Sequence, residues 1–189
     1  MKLWIQALRL FLVLTLVTGV VYPAVVTGVA QLLFHHQANG SLVIKNGKLI
    51  GSELLAQKFR GDGYFWPRPS AADFVTVPSG ASHWGPTSAA LKEAALKREA
   101  AFRQTNHLFQ GASLPPDVVF ASGSGLDPHI SPEAARLQAD RIVRARKLSE
   151  EKRQRLYHLI GQYTEAPQFG ILGEPRVNVF RLNLAVDSL

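Results

Sequence analysis

The sequence predicts a single N-terminal transmembrane α-helix followed by a small mixed α/β (α+β) extracytoplasmic domain. Two observations lead to this fold class. An uncharged apolar segment lies close to the N-terminus, and behind it short strand-like segments are interspersed with helical ones. The 189 residues suffice for one domain of common size plus an appendage.

The apolar segment is long enough to cross a bilayer. Residues 10–34 form a run of 25 residues without a charged side chain. As a helix this run would be roughly 37 Å long, against about 30 Å of bilayer hydrocarbon. Lys2 and Arg9 precede it and favour a cytoplasmic N-terminus. We therefore predict a cytoplasmic segment at 1–9, a transmembrane helix at 10–34 and a soluble α/β domain at 35–189, outside the cytoplasm.

Three residues inside the apolar run indicate a helical partner within the membrane. Pro23 removes one backbone hydrogen bond, a loss that membrane helices tolerate where a neighbouring helix or a threonine hydroxyl covers the gap. Gly19 and Gly28 allow another helix to approach closely. We therefore predict that Gly19, Pro23 and Gly28 bind a partner.

A cleaved signal peptide is the competing interpretation of this segment. Leu10 to Val21 would be its apolar core and Gly28-Val29-Ala30 its cleavage site, which would release a soluble binding protein beginning at Gln31. The apolar residues continue past this site to Phe34, which makes the run too long for such a core. The length therefore favours a retained anchor.

Composition excludes several classes of function. There is no cysteine, which rules out a disulfide framework and a thiolate metal site. The formal charge of +7 comes from basic residues interspersed with acidic ones, a pattern of solvated helix faces with modest affinity for anionic lipid headgroups. A nucleic-acid partner is not expected, because the sequence has no basic stripe with stacking aromatic side chains.

The domain is predicted to begin with a hairpin and a short helix. Asn46-Gly47 lies between the apolar runs 41–44 and 49–50, and both turn residues accept the positive φ that a two-residue hairpin loop requires. Glu53 to Phe59 is predicted to be helical. A long turn-rich stretch follows from Gly61 to Thr87. Its aromatic side chains either plug the core or serve function, as long loops often do; they are Tyr64, Phe65, Trp66 and Trp84.

Three further helices and two strands complete the domain. The helices are predicted over Ser88–Arg103, after Ser131 and after Ser149, because serine caps helix starts and apolar residues follow at helical spacing. Their candidate buried residues are Leu91, Leu96, Phe102, Ala135, Ala139, Ile142, Val143, Leu156, Leu159, Ile160 and Tyr163. Strands are predicted at Val118–Ala121 and at Val177–Val186, with a turn at 170–175 between the last helix and the last strand.

The loop Ser122–His129 permits several chemical interpretations. Ser124, Asp127 and His129 are the residue types of a hydrolase triad, but the nucleophile-elbow spacing is absent. Gly123 and Gly125 could cradle a phosphate between a strand and a helix, but no Lys-Ser or Lys-Thr follows them. A metal site from Asp127, His129 and Glu133 lacks a diagnostic spacing. A tight turn that satisfies its own backbone is the favoured interpretation.

Two arginines beside prolines are candidate contacts for a partner or an anion. They are Arg68 and Arg176, and internal pairing with Asp127 or Glu174 is the alternative.

Taken in order along the chain, these segments resemble the KdpC family, the C subunit of the bacterial Kdp potassium-transporting ATPase. The resemblance covers nearly the whole chain, and Ser122–Pro132 is its most specific part. The segments that carry it are Leu54–Phe59, Tyr64–Ala71, Ser79–Thr87, Ala121–Pro132 and Gly173–Asn183.

The resemblance implies a single-pass subunit of the bacterial inner membrane, with a periplasmic domain and no catalytic site of its own. Its partners would be a channel-like potassium subunit, a P-type ATPase subunit and a small peptide subunit, within membrane lipid. Its role would be to stabilise this ATP-driven potassium uptake complex. The candidate partner contacts in the domain are Tyr64, Arg68, Ser122, Gly123, Asp127 and His129. A membrane-tethered periplasmic hydrolase or binding protein using the Ser122–His129 loop is the alternative.

The family has also been proposed to act as a catalytic chaperone that raises the ATP affinity of the ATPase subunit. That idea looks to a Ser-Gly-Gly-Ser stretch, which here reads Ser79-Gly80-Ala81-Ser82. Ser79, Gly80 and Ser82 are therefore the candidate nucleotide contacts, and ATP is expected only together with the ATPase subunit. The methyl group of Ala81 counts against close approach of a phosphate, and an outside domain does not meet cytoplasmic ATP.

Overall fold

A computed structural model of the chain describes residues 2–59 and 61–189. Residues 1 and 60, which the predictions include in the N-terminal segment and in the domain, lie outside the described residues. The chain divides into two compact units, the first ending at Ile50 and the second running from Gly51 to Leu189.

Among the residues that the structure describes, one helix is long and apolar enough to cross a membrane; it lies in the first unit and runs from Lys2 to Leu33. It comprises α1 (Lys2–Leu16), a π-helical turn (Val17–Val21) and α2 (Tyr22–Leu33), and none of its residues is buried. The π turn ends two residues before Pro23, whose missing N–H removes one bond of the regular hydrogen-bond ladder. Thr18 Oγ1 donates to the Leu14 carbonyl at 2.7 Å, a threonine hydroxyl bonded to the helix backbone close to the proline.

A hairpin follows the short helix α3 (His35–Ala38). Strands β1 (Leu42–Lys45) and β2 (Lys48–Ser52) pair across a turn in which Asn46 has φ 52° and Gly47 has φ 73°. The Asn-Gly signal is therefore confirmed, because both residues adopt the left-handed backbone that this turn requires.

The described residues of the second unit form four α-helices and a small sheet. The helices are α4 (Ala89–Asn106), α5 (Pro132–Arg146), α6 (Glu150–Gln162) and α7 (Val179–Val186). The side chains of Ser88, Ser131 and Ser149 cap the first three as predicted. Strands β3 (His129–Ile130), β4 (Thr164–Glu165) and β5 (Arg176–Asn178) form an antiparallel sheet in the order β3-β5-β4.

The predicted helix at Glu53–Phe59 is wrong. Its backbone groups bond to other parts of the fold instead of to one another: the Ala56 N–H donates to the Leu126 carbonyl at 2.9 Å, and the Glu53 carbonyl accepts from Asn178 Nδ2 at 2.7 Å. Tertiary hydrogen bonds thus override a weak local propensity.

The predicted strand at Val118–Ala121 is also wrong. Pro116–Val118 form a 3-10 turn, closed by hydrogen bonds from Val118 N to Pro115 O and from Phe120 N to Pro116 O. Proline presets the backbone for such a turn. Val118 and Val119 are nevertheless buried, so their apolar character reflects burial and not strand structure.

The terminal segment Val177–Val186 is mostly helical and not a strand. Only Val177 and Asn178 lie in β5; the Asn178 side chain then caps α7 by accepting from Arg181 N at 3.1 Å. The change of apolar phase after Val179 marks this start, because the buried residues of α7 recur at helical spacing; they are Val179, Phe180, Leu182, Asn183, Ala185 and Val186. The predicted turn at 170–175 is confirmed.

The core lies where α5, α6 and α7 meet β5. Its fully buried large side chains include Ile142, Leu156, Ile160, Leu182 and Val177. The predicted apolar faces of α5 and α6 are thus confirmed. On α4, Phe102 is buried but Leu96 is 56% exposed, so its predicted burial is wrong.

The long loop 61–87 enters this core through Phe65, which is fully buried. Its peptide is held by Asn183 of α7, whose Oδ1 accepts from Phe65 N at 2.8 Å and whose Nδ2 donates to Phe65 O at 2.9 Å. Gln138 of α5 makes the corresponding pair with Trp66, with Oε1 accepting from Trp66 N at 2.8 Å and Nε2 donating to Trp66 O at 3.2 Å. The buried amides therefore replace the strand that would otherwise satisfy this extended backbone.

Arg141 completes the attachment of the loop. Its guanidinium is buried and donates to the carbonyls of Asp62 and Tyr64 and to the side chains of Asn106 and Gln138, at distances of 2.5 to 3.0 Å. It also lies 4.2 Å from the centroid of the Trp66 ring, which adds a cation–π contact. Burial lowers the pKa of Arg141 to about 10, so the group keeps its charge at neutral pH.

We predict that Arg141→Leu lowers the free energy of unfolding by about 3 kcal/mol, because it removes the guanidinium donors of the buried Asn106 side chain and of the Asp62 and Tyr64 carbonyls. Arg136→Leu, on the exposed face of the same helix, is the control and should change stability by less than about 0.5 kcal/mol. Urea unfolding of the full chain in detergent, followed by circular dichroism, measures both. Equal stability of the two variants would contradict the proposed role of the guanidinium.

A second prediction concerns the pH dependence of an Asn183→Asp variant. A protonated carboxyl can still donate to Phe65 O and accept from Phe65 N, whereas the ionised form only accepts and is buried. Burial raises the pKa of the new carboxyl above its unfolded value, so its contribution to stability is retained below about pH 4 and lost as the pH rises.

We expect the free energy of unfolding of the variant to be about 3 kcal/mol lower than that of the wild type at pH 7. This difference should become smaller as the pH is lowered. Gln154→Glu on the exposed face of α6 adds the same charge and should show no such trend. A difference from wild type that is constant between pH 4 and pH 8 would disprove the explanation.

Candidate functional site

The segments that carry the family resemblance meet at one place in the second unit. The Ser122 N–H donates to the Pro69 carbonyl at 3.3 Å, and Arg68 Nη1 lies 3.2 Å from Asp127 Oδ2. The loop Ser122–His129 is therefore bonded to Arg68 and Pro69. The hydrogen bonds that hold Phe65 and Trp66 fix the position of Arg68 and Pro69. Of the two alternatives for Arg68, internal pairing is the one observed.

Asp127 organises the loop. Its Oδ1 accepts from the His129 backbone N–H at 3.0 Å and lies 3.4 Å from His129 Nδ1, while its Oδ2 faces Arg68. Burial by itself raises the pKa of Asp127, but the hydrogen bonds from His129 and the charge of Arg68 outweigh burial and hold the pKa below its ordinary value. The carboxylate is thus charged across the physiological pH range.

Gly125 brings a second motif against this loop. It has φ +70°, and a Cβ atom on it would lie 2.9 Å from the Gly80 carbonyl oxygen and 3.2 Å from Ser70 Oγ. Only glycine combines this backbone conformation with so close an approach. The structure therefore places the segment Ser79–Ser82 beside the Ser122–His129 loop, although Gly80 and Gly125 are 45 positions apart in the sequence.

A cleft of about 630 Å³ opens beside the Arg68–Asp127 pair. Its polar lining mixes both signs of charge, and its residues include Asp117, His129, Ser131, Glu133, Glu174 and Arg176. Arg68 Nε is buried and has no hydrogen-bond partner among the described residues. Arg176 pairs with Glu165 at 3.0 Å, and not with Glu174 as the sequence allowed.

The geometry does not favour the hydrolase alternative. Ser124 Oγ accepts from the Leu126 N–H at 3.1 Å, and His129 Nδ1 is directed at Asp127. The hydrogen bonds found among residues 2–59 and 61–189 do not include one between Ser124 and His129, which a triad requires. The same part of the chain contains no group of three or more metal-ligating side chains arranged around a common point.

The remaining candidate residues differ in accessibility. Ser122 is buried, whereas a Cβ atom at Gly123 would meet nothing within 4 Å. Tyr64 is half-buried and its ring lies 4.6 Å from the Arg146 guanidinium, which gives it an internal role. Ser79 is exposed, while Gly80 and Ser82 are half-buried. The nucleotide contact at these three residues stays a prediction.

The candidates in the first unit lie on the apolar helix. Gly19 belongs to the π turn and Pro23 follows it at the start of α2. A Cβ atom at Gly19 or Gly28 would meet nothing within 4 Å. Both glycines therefore leave open space beside the helix.

Sequence reasoning missed Asp117. Its Oδ2 accepts from Ser131 N at 2.6 Å and its Oδ1 from the Ser131 hydroxyl at 3.2 Å, so it fixes the N-terminus of α5 at the edge of the cleft. An aspartate directly after Pro115-Pro116 was a signal for a rigid turn with a capping carboxylate.

The chain is similar to known proteins over nearly its whole length. A family model described as KdpC, the K+-transporting ATPase c chain, matches residues 4–188. A protein of Methylococcus capsulatus named potassium-transporting ATPase KdpC subunit is 52% identical over 186 residues, which are 97% of this chain and 96% of that protein.

Proteins with the same name from other bacteria show a similar degree of identity to this chain. The one from Rhodospirillum rubrum is 52% identical over 184 residues, covering 96% of this chain and 93% of that protein. The one from Leptospira interrogans is 47% identical over 182 residues, covering 96% and 92%. The match takes in both the apolar helix and the domain behind it, and the chain therefore belongs to the KdpC family of potassium-transporting ATPase subunits.

Proposed function

We propose that this protein is a non-catalytic accessory subunit that stabilises an ATP-driven potassium uptake complex in the bacterial inner membrane. The observation that carries the proposal is the family match at residues 4–188, because it includes the apolar helix as well as the domain. The relatives are named as subunits of a potassium-transporting ATPase, which supports a role inside an assembly.

The internal use of the polar groups supports a structural role for the loop Ser122–His129. Asp127 is engaged by Arg68 and His129, Ser122 by Pro69, and Ser124 by Leu126. A loop held in this way presents a fixed shape at the edge of the cleft. We propose that this edge, with Arg68, Gly123 and His129, contacts another subunit.

The proposed partners are the channel-like potassium subunit, the P-type ATPase subunit and the small peptide subunit. We propose that the helix Lys2–Leu33 crosses the membrane beside one of them, with the N-terminus in the cytoplasm and the second unit in the periplasm. A role in raising the ATP affinity of the ATPase subunit is a separate proposal, and the half-buried Ala81 in place of glycine weakens it.

The first test is co-purification from native membranes in mild detergent. We expect the tagged full-length chain to recover the other subunits, and Gly19→Leu/Gly28→Leu to reduce that recovery several-fold, because leucine prevents close approach of a partner helix. A Cβ atom at either glycine meets nothing within 4 Å in the chain itself. Val20→Leu, an enlargement at an exposed position of the same helix, is the matched control.

Recovery of the wild-type chain alone would refute the proposed function. Full recovery by the double glycine variant would refute only the proposed helix contact.

A topology experiment tests the proposed orientation. The chain has no cysteine, so single cysteines at exposed positions report their own location. We expect Gln154→Cys, on the exposed face of α6, to react with a membrane-impermeant maleimide in intact spheroplasts, and Gln6→Cys to react only after permeabilisation. The reverse pattern would place the domain in the cytoplasm.

A further inference from the structure

The loop 166–173 of the second unit presents three exposed apolar side chains next to one another. It contains no charged residue, and its tip consists of Phe169, Gly170, Ile171 and Leu172. The side chains of Phe169, Ile171 and Leu172 are 91%, 81% and 56% exposed. We name these three residues the apolar tip. Three neighbouring side chains of this kind, directed away from the core, indicate an interaction site.

The apolar tip stands on a self-contained turn. The Gln168 and Leu172 backbones exchange two hydrogen bonds of 2.9 Å, and Gly170 N donates to Pro167 O at 2.9 Å. Phe169 itself has φ 54°, a conformation that a bulky residue rarely adopts. Backbone strain of this kind persists where the surrounding structure holds it, and it often accompanies recognition sites.

The charges beside the apolar tip argue for a protein partner over a lipid surface. The loop is flanked by Glu165 and Glu174, and the nearest cation along the chain, Arg176, is paired with Glu165 at 3.0 Å. Loops and helices that bind anionic bilayers combine apolar side chains with free lysine or arginine. Glu165 is also 3.7 Å from Arg181, so the cations near the loop along the chain are both engaged by this carboxylate. An uncharged apolar loop without a free cation instead suits an uncharged pocket on another protein, where a few buried aromatic and aliphatic side chains supply most of the binding energy.

We propose that the apolar tip inserts into an uncharged apolar pocket of a neighbouring subunit of the potassium-transporting ATPase complex. This inference rests on the proposed function, because it requires that the chain has such a neighbour. Phe169 would fill the pocket, with Ile171 and Leu172 packing at its edge.

The test compares two exposed phenylalanines of the same unit. Phe169→Asn removes the aromatic ring and places at φ 54° a residue that tolerates this backbone better, so the fold is not weakened. Phe109→Asn is the matched control, since Phe109 is 74% exposed and lies outside the loop. We expect recovery of the other subunits by the full-length chain to fall about tenfold or more with Phe169→Asn, and to remain at the wild-type level with Phe109→Asn. Both variants should keep the wild-type unfolding midpoint.

A photo-crosslinking amino acid at position 169 identifies the occupant in native membranes. A crosslink to another subunit of the complex, identified by mass spectrometry, supports the proposal. Crosslinks only to lipid, to an unrelated protein or to a second copy of this chain overturn it, as does wild-type recovery with Phe169→Asn. If the wild-type chain itself recovers no subunit, the proposed function fails first, and that result is distinguishable from failure of the apolar tip alone.

Discussion

The buried guanidinium of Arg141 is the constraint on which the second unit depends. Residues 61–87 contain no helix or strand among the described residues, so their backbone groups need partners elsewhere. Arg141 supplies donors to the carbonyls of Asp62 and Tyr64, and the amides of Gln138 and Asn183 bond the peptides of Phe65 and Trp66 in both directions. A cation can stay charged in this interior because its N–H groups are bonded and an aromatic face lies against it. The helices therefore hold an extended segment in one conformation without a strand beside it.

The attachment of the loop 61–87 to the core determines the geometry of the candidate site. Arg68 lies two residues after Trp66, so the contacts that fix Phe65 and Trp66 also determine where Arg68 can reach Asp127. Asp127 then orients His129, the first residue of β3. Ser131, the N-cap of α5, follows two residues later. Gly125 closes the arrangement, because its missing side chain admits the Gly80 carbonyl. The loop 61–87 thus connects the core at Phe65 with the Ser122–His129 loop through the contacts Arg68–Asp127 and Gly80–Gly125. A change in the core at Arg141 is therefore expected to alter the surface at the cleft.

Local signals in the sequence predicted the parts of the fold whose energetics are local. Asn46-Gly47, the serine caps and the spacing of Ile142, Leu156 and Ile160 each specify structure through neighbours within a few residues, and each is confirmed. The predictions are wrong where hydrogen bonds to residues distant in the sequence determine the local structure. Glu53–Phe59 is not helical because Leu126 and Asn178 take its hydrogen bonds. The apolar run that contains α7 resembles a strand in sequence, and Asn178 inside that run caps the helix. The same limit applies to the site. The sequence offered Asp127 as a partner for Arg68, but the approach of Gly80 to Gly125 has no local signal.

The proposed accessory role is supported by how the polar groups of the loop Ser122–His129 are used. A catalyst must leave a nucleophile or base free to meet its substrate, and it tolerates strain or poor satisfaction at that point. Here the hydroxyl of Ser124, the carboxylate of Asp127 and the Nδ1 of His129 are all engaged in holding the loop. The features without an internal role are apolar instead: the helix Lys2–Leu33, none of whose residues is buried, and the apolar tip on its own hydrogen-bonded turn. Apolar surface lowers the free energy when it is covered by another surface, and it performs no bond-making. The polar residues of this chain maintain its fold, and its accessible apolar residues can be buried by another protein or by lipid. Both properties are those of a subunit of a larger assembly.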